Sequence, residues 1–349
     1  MRLMNVFGDA AEHVILSAVP DALGARDAID TSVRVSFPGD AAPPLYGKPS
    51  PARYDRLSRY MQQFDLVLSY NWGSMDAVGA RRMFAGLRKL PRLIHHEDGF
   101  NIDEANGLDW QRNWFRRLML PAAERLVVPS RQLEGIARDI WKQPTKRVVR
   151  ISNGIDVGRY AVAPEEGSIH GLARAPGDVI VGTLAGLRGV KNLRRLVRAV
   201  ATQPPHVKLV IVGEGPERAN IIAEAQRLGI FDRVLLPGFL AEPHRYIGHF
   251  DIFALSSDSE QFPISLVEAM AAGLPVVSTD VGDVKAMVAP QNQSLIVPVS
   301  DEAALAGALS GLVSDGHMRA ALGSANRAIA VRDYDEAAMI ARYRALYAI

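Results

Sequence analysis

The chain has 349 residues, 48% of them hydrophobic and 22% charged, which is sequence for about two globular domains and lacks the bias of a fibrous or disordered protein. Forty Lys and Arg against 38 Asp and Glu leave a net charge of +2, so no global field draws in polyanions and no nucleic-acid partner is expected. With no cysteine, disulfide frameworks, thiolate metal sites and cysteine nucleophiles are excluded, and a cytoplasmic location is expected.

Met1 to Phe7, followed by Gly8-Asp9, reads as the end of a helix. Short runs of Val, Ile and Leu then alternate with stretches of helical period, the pattern of a parallel sheet covered on both faces. In the first half strands are expected at 14–18, 33–37, 66–69, 92–95, 126–128 and 148–151, interrupted by a Gly- and Pro-rich loop over 38–51, with a helix over 110–119. Residues 161–178, with two prolines, three glycines and few large apolar side chains, read as a connection between domains. Strands follow at 179–183, 208–212, 234–236, 252–255, 275–279 and 295–299. Helices separate them at 192–201, 217–228, 264–272, 302–313 and 317–330. The expected organisation is a doubly wound α/β domain over 1–160, a second over 161–333, and a terminal helix over 334–349 that packs back on the first.

Two such domains usually bind ligand at the carboxyl ends of their strands, so the loops that follow strands carry the candidates. In the segment 258–275 Glu260 precedes a helix that begins near Pro263, with Glu268 two turns inside it. Proline suits the first position of a helix, and the free N–H groups of that first turn make a phosphate site. Taken alone, two glutamates eight residues apart read as a solvated helix face. The flanking Ala-Gly-Leu-Pro-Val-Val and Gly282 make the segment resemble the donor-site signature of retaining glycosyltransferases of family 4, which have the GT-B fold of two Rossmann-like domains facing a cleft.

The resemblance implies that Glu260 and the backbone at Phe262 face a donor sugar and that Glu268 holds the ribose of a nucleotide. Gly182 to Asn192 resembles the family's phosphate-gripping loop, which implies that Lys191 and an arginine neutralise a diphosphate leaving group. Gly186 stands where that arginine is common, and Arg188 is the nearest substitute. Gly213-Glu214-Gly215-Pro216 resembles a turn whose bare glycines, Gly213 and Gly215, let a ligand approach the backbone. Pro237-Gly238-Phe239 resembles the loop that meets the base. In the first half, Leu93 to Gly99 resembles a strand followed by a histidine that approaches the donor sugar; His95 is the closer match, His96 its rival, and Asp98 is placed to orient an acceptor hydroxyl. Ser130 and Asn153 resemble further positions lining the cleft. Asn-Gly is also a good turn by itself.

The family begins with a strand and a glycine-rich loop that meets the diphosphate and the acceptor, and both are expected to be missing ahead of Met1 to Phe7. The resemblance implies an enzyme that moves a sugar, with retention, from a nucleoside-diphosphate sugar to a glycan or lipid-linked acceptor, without a metal or other cofactor. An epimerase or phosphorylase of the same architecture, or a non-catalytic nucleotide-sugar binding protein, are the alternatives. Trp110 to Met119 mixes aromatics with Arg and amides. A helix with its Trp and Phe packed inward is the preferred reading of that stretch, and peripheral contact with an anionic inner membrane face is the alternative.

Overall fold

The computed structural model describes residues 1–19, 23–45, 47, 49–99 and 109–349. The chain divides into two units, Met1–Ser152 with Ile340–Ile349, and Asn153–Met339.

The first unit carries α1 (Arg2–Phe7), β1 (His13–Val14), β2 (Val35–Ser36), α2 (Pro51–Met61), β3 (Leu66–Tyr70), α3 (Met75–Phe84), β4 (Arg92–His96), α4 (Trp110–Met119), β5 (Arg125–Val128), α5 (Arg131–Asp139) and β6 (Val148–Arg150). Strands β3-β4-β5-β6 form one parallel sheet in that order, and β1 and β2 form a separate parallel pair. Among the described residues β1 pairs with β2 alone, over two residues where five were expected. Helix α2 starts at Pro51 because Ser50 caps it, its hydroxyl accepting from the Arg53 N–H at 3.3 Å, and the proline at N1 gives up an N–H that no helical partner would use. Leu57, Met61, Val78, Leu93, Leu126, Leu133 and the fully buried Trp141 build its core.

The second unit carries β7 (Val179–Leu184), α6 (Leu193–Ala201), β8 (Val207–Val212), α7 (Arg218–Arg227), β9 (Val234–Gly238), β10 (Ile252–Leu255), α8 (Ile264–Ala271), β11 (Val276–Thr279), α9 (Val284–Met287), β12 (Ile296–Val297), α10 (Glu302–Ser314) and α11 (Gly316–Asp333). The last helix, α12 (Glu336–Tyr347), starts here and ends in the first unit. The parallel sheet has the order β12-β11-β10-β7-β8-β9. Successive residues of its strands point to opposite faces, and both faces are buried: Ile180, Val210 and Phe253 lie in one core, Val181, Leu209 and Ile252 in the other. This is why these strands read as unbroken apolar runs. Strand β12 stops before Pro298, which has no N–H to give a ladder.

The units divide after Ser152 and not after residue 160. Ile155 donates its N–H to the Tyr334 carbonyl at 3.0 Å and accepts from the Glu336 N–H at 2.9 Å, stitching the start of the second unit to its own end. The inward packing expected for the tryptophans of α4 is not found: Trp110 and Trp114 are exposed, while Arg116 is buried. Among the described residues no helix is long and apolar enough to cross a membrane.

Candidate functional site

In the second unit the strand order reverses direction between β7 and β10. Loops leaving the carboxyl ends of those strands open at a topological switch point, where α/β sheets bind ligands. The loop after β7 enters a single 3-10 turn, Gly189–Lys191, and the loop after β10 leads to α8. Backbone and side chains tie the two loops together. The Asp258 N–H donates to the Val190 carbonyl at 2.8 Å, the Ser256 hydroxyl lies 3.1 Å from the carbonyls of Lys191 and Asn192, and Arg195 pairs with Asp258 at 2.9 Å.

On this frame Lys191 Nζ lies 2.5 Å from Glu260 Oε1, and the same oxygen accepts from the Ser257 hydroxyl at 2.7 Å. Thr279 donates to the Ser257 carbonyl at 2.7 Å and so holds the third member. The Lys191 and Glu260 side chains are only 15% and 10% exposed, which strengthens their attraction over that of a surface pair. Gly282 is what lets the Glu260 backbone come this close. Its φ is +56°, and a Cβ there would stand 2.4 Å from the Glu260 carbonyl oxygen. Arg188 is exposed, and its side chain has no hydrogen-bond or ion-pair partner among the described residues. Its Nε lies 3.6 Å from where a Cβ on Gly186 would be, so the side chain reaches back over the position whose arginine the chain lacks.

Pro263 occupies the N-cap of α8 with extended ψ of 111°, one position before the first helical residue where the sequence placed it. No side chain caps this helix. Phe262 packs its ring edge-on against Tyr334 with centroids 5.7 Å apart. Inside α8, half-buried Glu268 accepts from the Tyr160 hydroxyl at 3.2 Å. Burial, and then the charge of Glu268, push the Tyr160 hydroxyl well above the ordinary tyrosine range. Tyr160 was not singled out from the sequence, since a tyrosine before the interdomain connection carries no motif.

The glycine turns are tightly packed. A Cβ on Gly213 would stand 1.9 Å from the Ala185 carbonyl oxygen and one on Gly215 2.5 Å from that of Leu187, so the bare glycines let the chain's own β7 loop approach this turn. The Gly213 N–H donates to the Gly238 carbonyl at 2.9 Å, joining this turn to Pro237 and to Phe239, whose ring is 74% exposed. Asn153 is half-buried beside Gly154, where a Cβ would meet Glu336 Cα at 2.9 Å; the Asn-Gly turn thus serves the stitching of the second unit.

In the first unit the register of β3 and β4 sets Ser69 opposite His95 and Tyr70 opposite His96. His95 is fully buried, with Nδ1 2.8 Å from the Ser69 hydroxyl and Nε2 3.3 Å from Glu97 Oε2. Glu97 Oε1 accepts from Arg116 at 3.2 Å, and the Arg116 guanidinium lies 5.2 Å from the Trp72 ring and 5.0 Å from that of Trp141. His96 is buried too. Its Nδ1–H points to the Ser69 carbonyl at 3.3 Å, and its Nε2 accepts from the Tyr347 hydroxyl at 2.8 Å. Burial first, and the neighbouring His95 second, press its pKa down to about 3, so the ring is neutral. Both rings are thus held by the protein's own groups. Asp98 is the exposed member, its carboxyl raised by burial of its oxygens and by Glu97. Ser130 does not line an open site: it is wholly buried and caps α5, accepting from the Leu133 N–H at 3.0 Å. Among the described residues no group of three His, Asp or Glu could hold a metal ion.

The sequence model of the family described as Glycosyl transferases group 1 matches residues 168–329, and that of Glycosyltransferase Family 4 matches residues 10–159. A GDP-mannose-dependent alpha-mannosyltransferase of Mycobacterium tuberculosis is 31% identical over 188 residues, 54% of this chain and 47% of that protein. A putative glycosyltransferase EpsF of Bacillus subtilis is 31% identical over 210 residues, 56% of this chain and 53% of that one. The chain thus spans about half the length of these two relatives. Among solved structures, Anabaena Alr3699/HepE in complex with UDP aligns with 99% of this chain and 94% of its own at TM-score 0.78 and 19% identity. Sucrose-phosphate synthase from Thermosynechococcus elongatus aligns with 99% and 91% at TM-score 0.75 and 21% identity. At such identities the likeness shows the fold, two Rossmann-like domains of GT-B type. With both halves matched in order, the chain belongs to glycosyltransferase family 4.

Proposed function

We propose that the protein is a retaining glycosyltransferase that moves a sugar from a nucleoside-diphosphate sugar to an acceptor hydroxyl in polysaccharide or glycoconjugate synthesis. The observation that carries this is the meeting of Lys191, Glu260 and the uncapped start of α8 at the switch point of the second unit's sheet. As the bond from the anomeric carbon to the phosphate oxygen breaks, negative charge grows on the diphosphate. Lys191, Arg188 and the N–H groups at the start of α8 are positive groups that answer it, so in this proposal no metal is needed. Glu260 holds donor-sugar hydroxyls, Glu268 the ribose, and the exposed Phe239 beside Pro237 meets the base.

The acceptor oxygen attacks from the side the leaving group vacates, and its proton passes to the departing phosphate oxygen, which preserves configuration without a carboxylate nucleophile. Asp98 orients the acceptor hydroxyl. For His95 to orient the sugar, its Nε2 must exchange Glu97 for substrate. The acceptor is a glycan or lipid-linked glycan met at the cytoplasmic face of a membrane. Relatives with UDP and GDP-mannose in their names leave the base to experiment.

The test is thermal unfolding of the chain against a panel of nucleoside diphosphates and their sugars, with Glu268→Ala and Lys191→Ala alongside. A ligand at 100 times its Kd stabilises by about 2.7 kcal/mol. The proposal expects a shift with one nucleotide that both variants lose. A shift that both variants retain moves the donor site elsewhere.

A further inference from the structure

We propose that the outer face of α4 docks the protein on an anionic lipid bilayer. Trp110, Trp114 and Leu118 stand at i, i+4 and i+8 on one side of this ten-residue helix and are 68%, 61% and 57% exposed. The helix makes its structural contacts on the other side. There Arg116 is buried, Phe115 meets Trp72 edge-on at 5.5 Å, and Asn113 accepts from the indole of buried Trp141 at 2.8 Å. Single exposed apolar residues are ordinary on any protein, but two indoles and a leucine in register on one face form a patch.

Charge names the occupant. The helix has no acid, and of its three arginines Arg116 is buried against Glu97 on the other side, which leaves Arg117 to the outer face. Arg117 is exposed on the same face, with its guanidinium 5.0 Å from the Trp114 ring, and Arg147 is drawn to the end of the helix by a hydrogen bond to the Pro121 carbonyl. Asp109, the acid flanking the helix, is spent as its N-cap, accepting from the Arg112 N–H at 2.8 Å. Indoles settle at the boundary of headgroup and acyl chain while arginines reach lipid phosphates, so this face suits an anionic bilayer in both its apolar and its cationic parts. The surface gives a place to the membrane contact in the proposed function and rests on that reading for its purpose alone, since docking needs no sugar nucleotide.

The experiment mixes the full chain with phosphatidylcholine vesicles with and without phosphatidylglycerol, without donor, and follows co-sedimentation and tryptophan emission. Binding to the phosphatidylglycerol vesicles is expected, with a blue shift as Trp110 and Trp114 leave water and with weakening as salt rises. Trp110→Ala with Trp114→Ala lowers partitioning by about tenfold or more, and Arg117→Glu lowers it while both proteins melt as the parent does. Absence of binding, or equal binding by the tryptophan variant, overturns the proposal. So does a vesicle-free dimer that the tryptophan variant abolishes, because a second copy would then cover the face. With sugar transfer assayed separately, vesicle binding with no transfer removes only the transferase reading, and transfer without vesicle binding removes only this one.

Discussion

Lys191 Nζ lies 2.5 Å from Glu260 Oε1, so the cation proposed to meet the leaving diphosphate already rests on the carboxylate proposed to meet the sugar. A donor that brings phosphate to Lys191 and hydroxyls to Glu260 replaces one interaction by two, and the pair keeps both side chains in place until then. Lys191→Ala should lower transfer by about 10²-fold, the loss typical of one fixed positive group at a developing charge. Lys191→Arg should recover part of it. Steady-state kinetics check this, and an alanine variant with unchanged kcat would remove Lys191 from the reaction.

Arg188 makes the opposite case, because among the described residues its side chain holds nothing in the resting protein. Exposed and without a side-chain partner among the described residues, it should be removable at little cost: Arg188→Ala is expected to change stability by less than about 0.5 kcal/mol. Its loss should still weaken nucleoside-diphosphate binding by roughly tenfold, as for a charged hydrogen bond. Calorimetric titration with the diphosphate beside urea unfolding separates the two effects. A stability loss equal to the binding loss would mean that Arg188 serves the loop and not a ligand.

The second unit was legible in the sequence because its strands are buried on both faces and its helices on one. Runs such as Val207–Val212 therefore stand out against the helical periods around them. The first unit was less so. Its β1 and β2 pair over two residues each, too short to impose a period, and α2, α3 and α5 fill intervals where no helix had been assigned. At the site, Glu260, Glu268 and Lys191 were found through the resemblance of their flanking segments to a family signature, since the spacing of the two glutamates alone reads as a solvated helix face. The distant partners were not: Tyr160 reaches Glu268 from 108 residues away, and Arg116 reaches Glu97 from 19. Ser130 misled because a serine after a strand is as good a helix cap as a ligand contact.

The bare turn at Gly213 gives a prediction about folding. A methyl there would stand 1.9 Å from the Ala185 carbonyl oxygen, and its φ of +143° suits glycine alone. Gly213→Ala should destabilise the protein by about 2–5 kcal/mol, combining an overpacked contact with an unfavourable backbone. Urea unfolding measures it. A variant of full stability that merely lost nucleotide affinity would show instead that the turn's space belongs to a ligand.

Tyr160 donates to Glu268 at 3.2 Å, and a ribose held by Glu268 must share or displace that hydroxyl. Tyr160→Phe keeps the ring and removes the donor, so the change in affinity should appear for nucleoside diphosphates and not for inorganic pyrophosphate. The size should be that of one hydrogen bond, about 1 kcal/mol or some fivefold in Kd. Tighter binding would mean that the hydroxyl competes with ribose, and weaker binding that it orients Glu268. Equal affinities of parent and variant for every nucleotide would dissociate Tyr160 from the site.

His96 makes stability depend on pH with a sign that can be worked out. Folded, its pKa is pressed from 6.5 to about 3 by burial and by His95, so the unfolded chain takes up a proton as pH falls through about 6.5 while the folded one does not. The stability that a neutral His96 contributes is therefore complete above that pH and is lost on acidification, down to a floor near pH 3. The slope approaches 1.4 kcal/mol per pH unit, which amounts to about 2 kcal/mol between pH 7.5 and pH 5. Most carboxylates stay ionised over that interval, which makes the histidine visible. Urea unfolding at several pH values should give His96→Gln a lower stability at pH 7.5 and a dependence on pH flatter by this amount. Tyr347→Phe removes the hydroxyl that donates to Nε2 but leaves the ring buried, and so should lose stability while keeping most of the slope. Parallel slopes for the parent and His96→Gln would place the acid sensitivity of the first unit in its carboxylates instead.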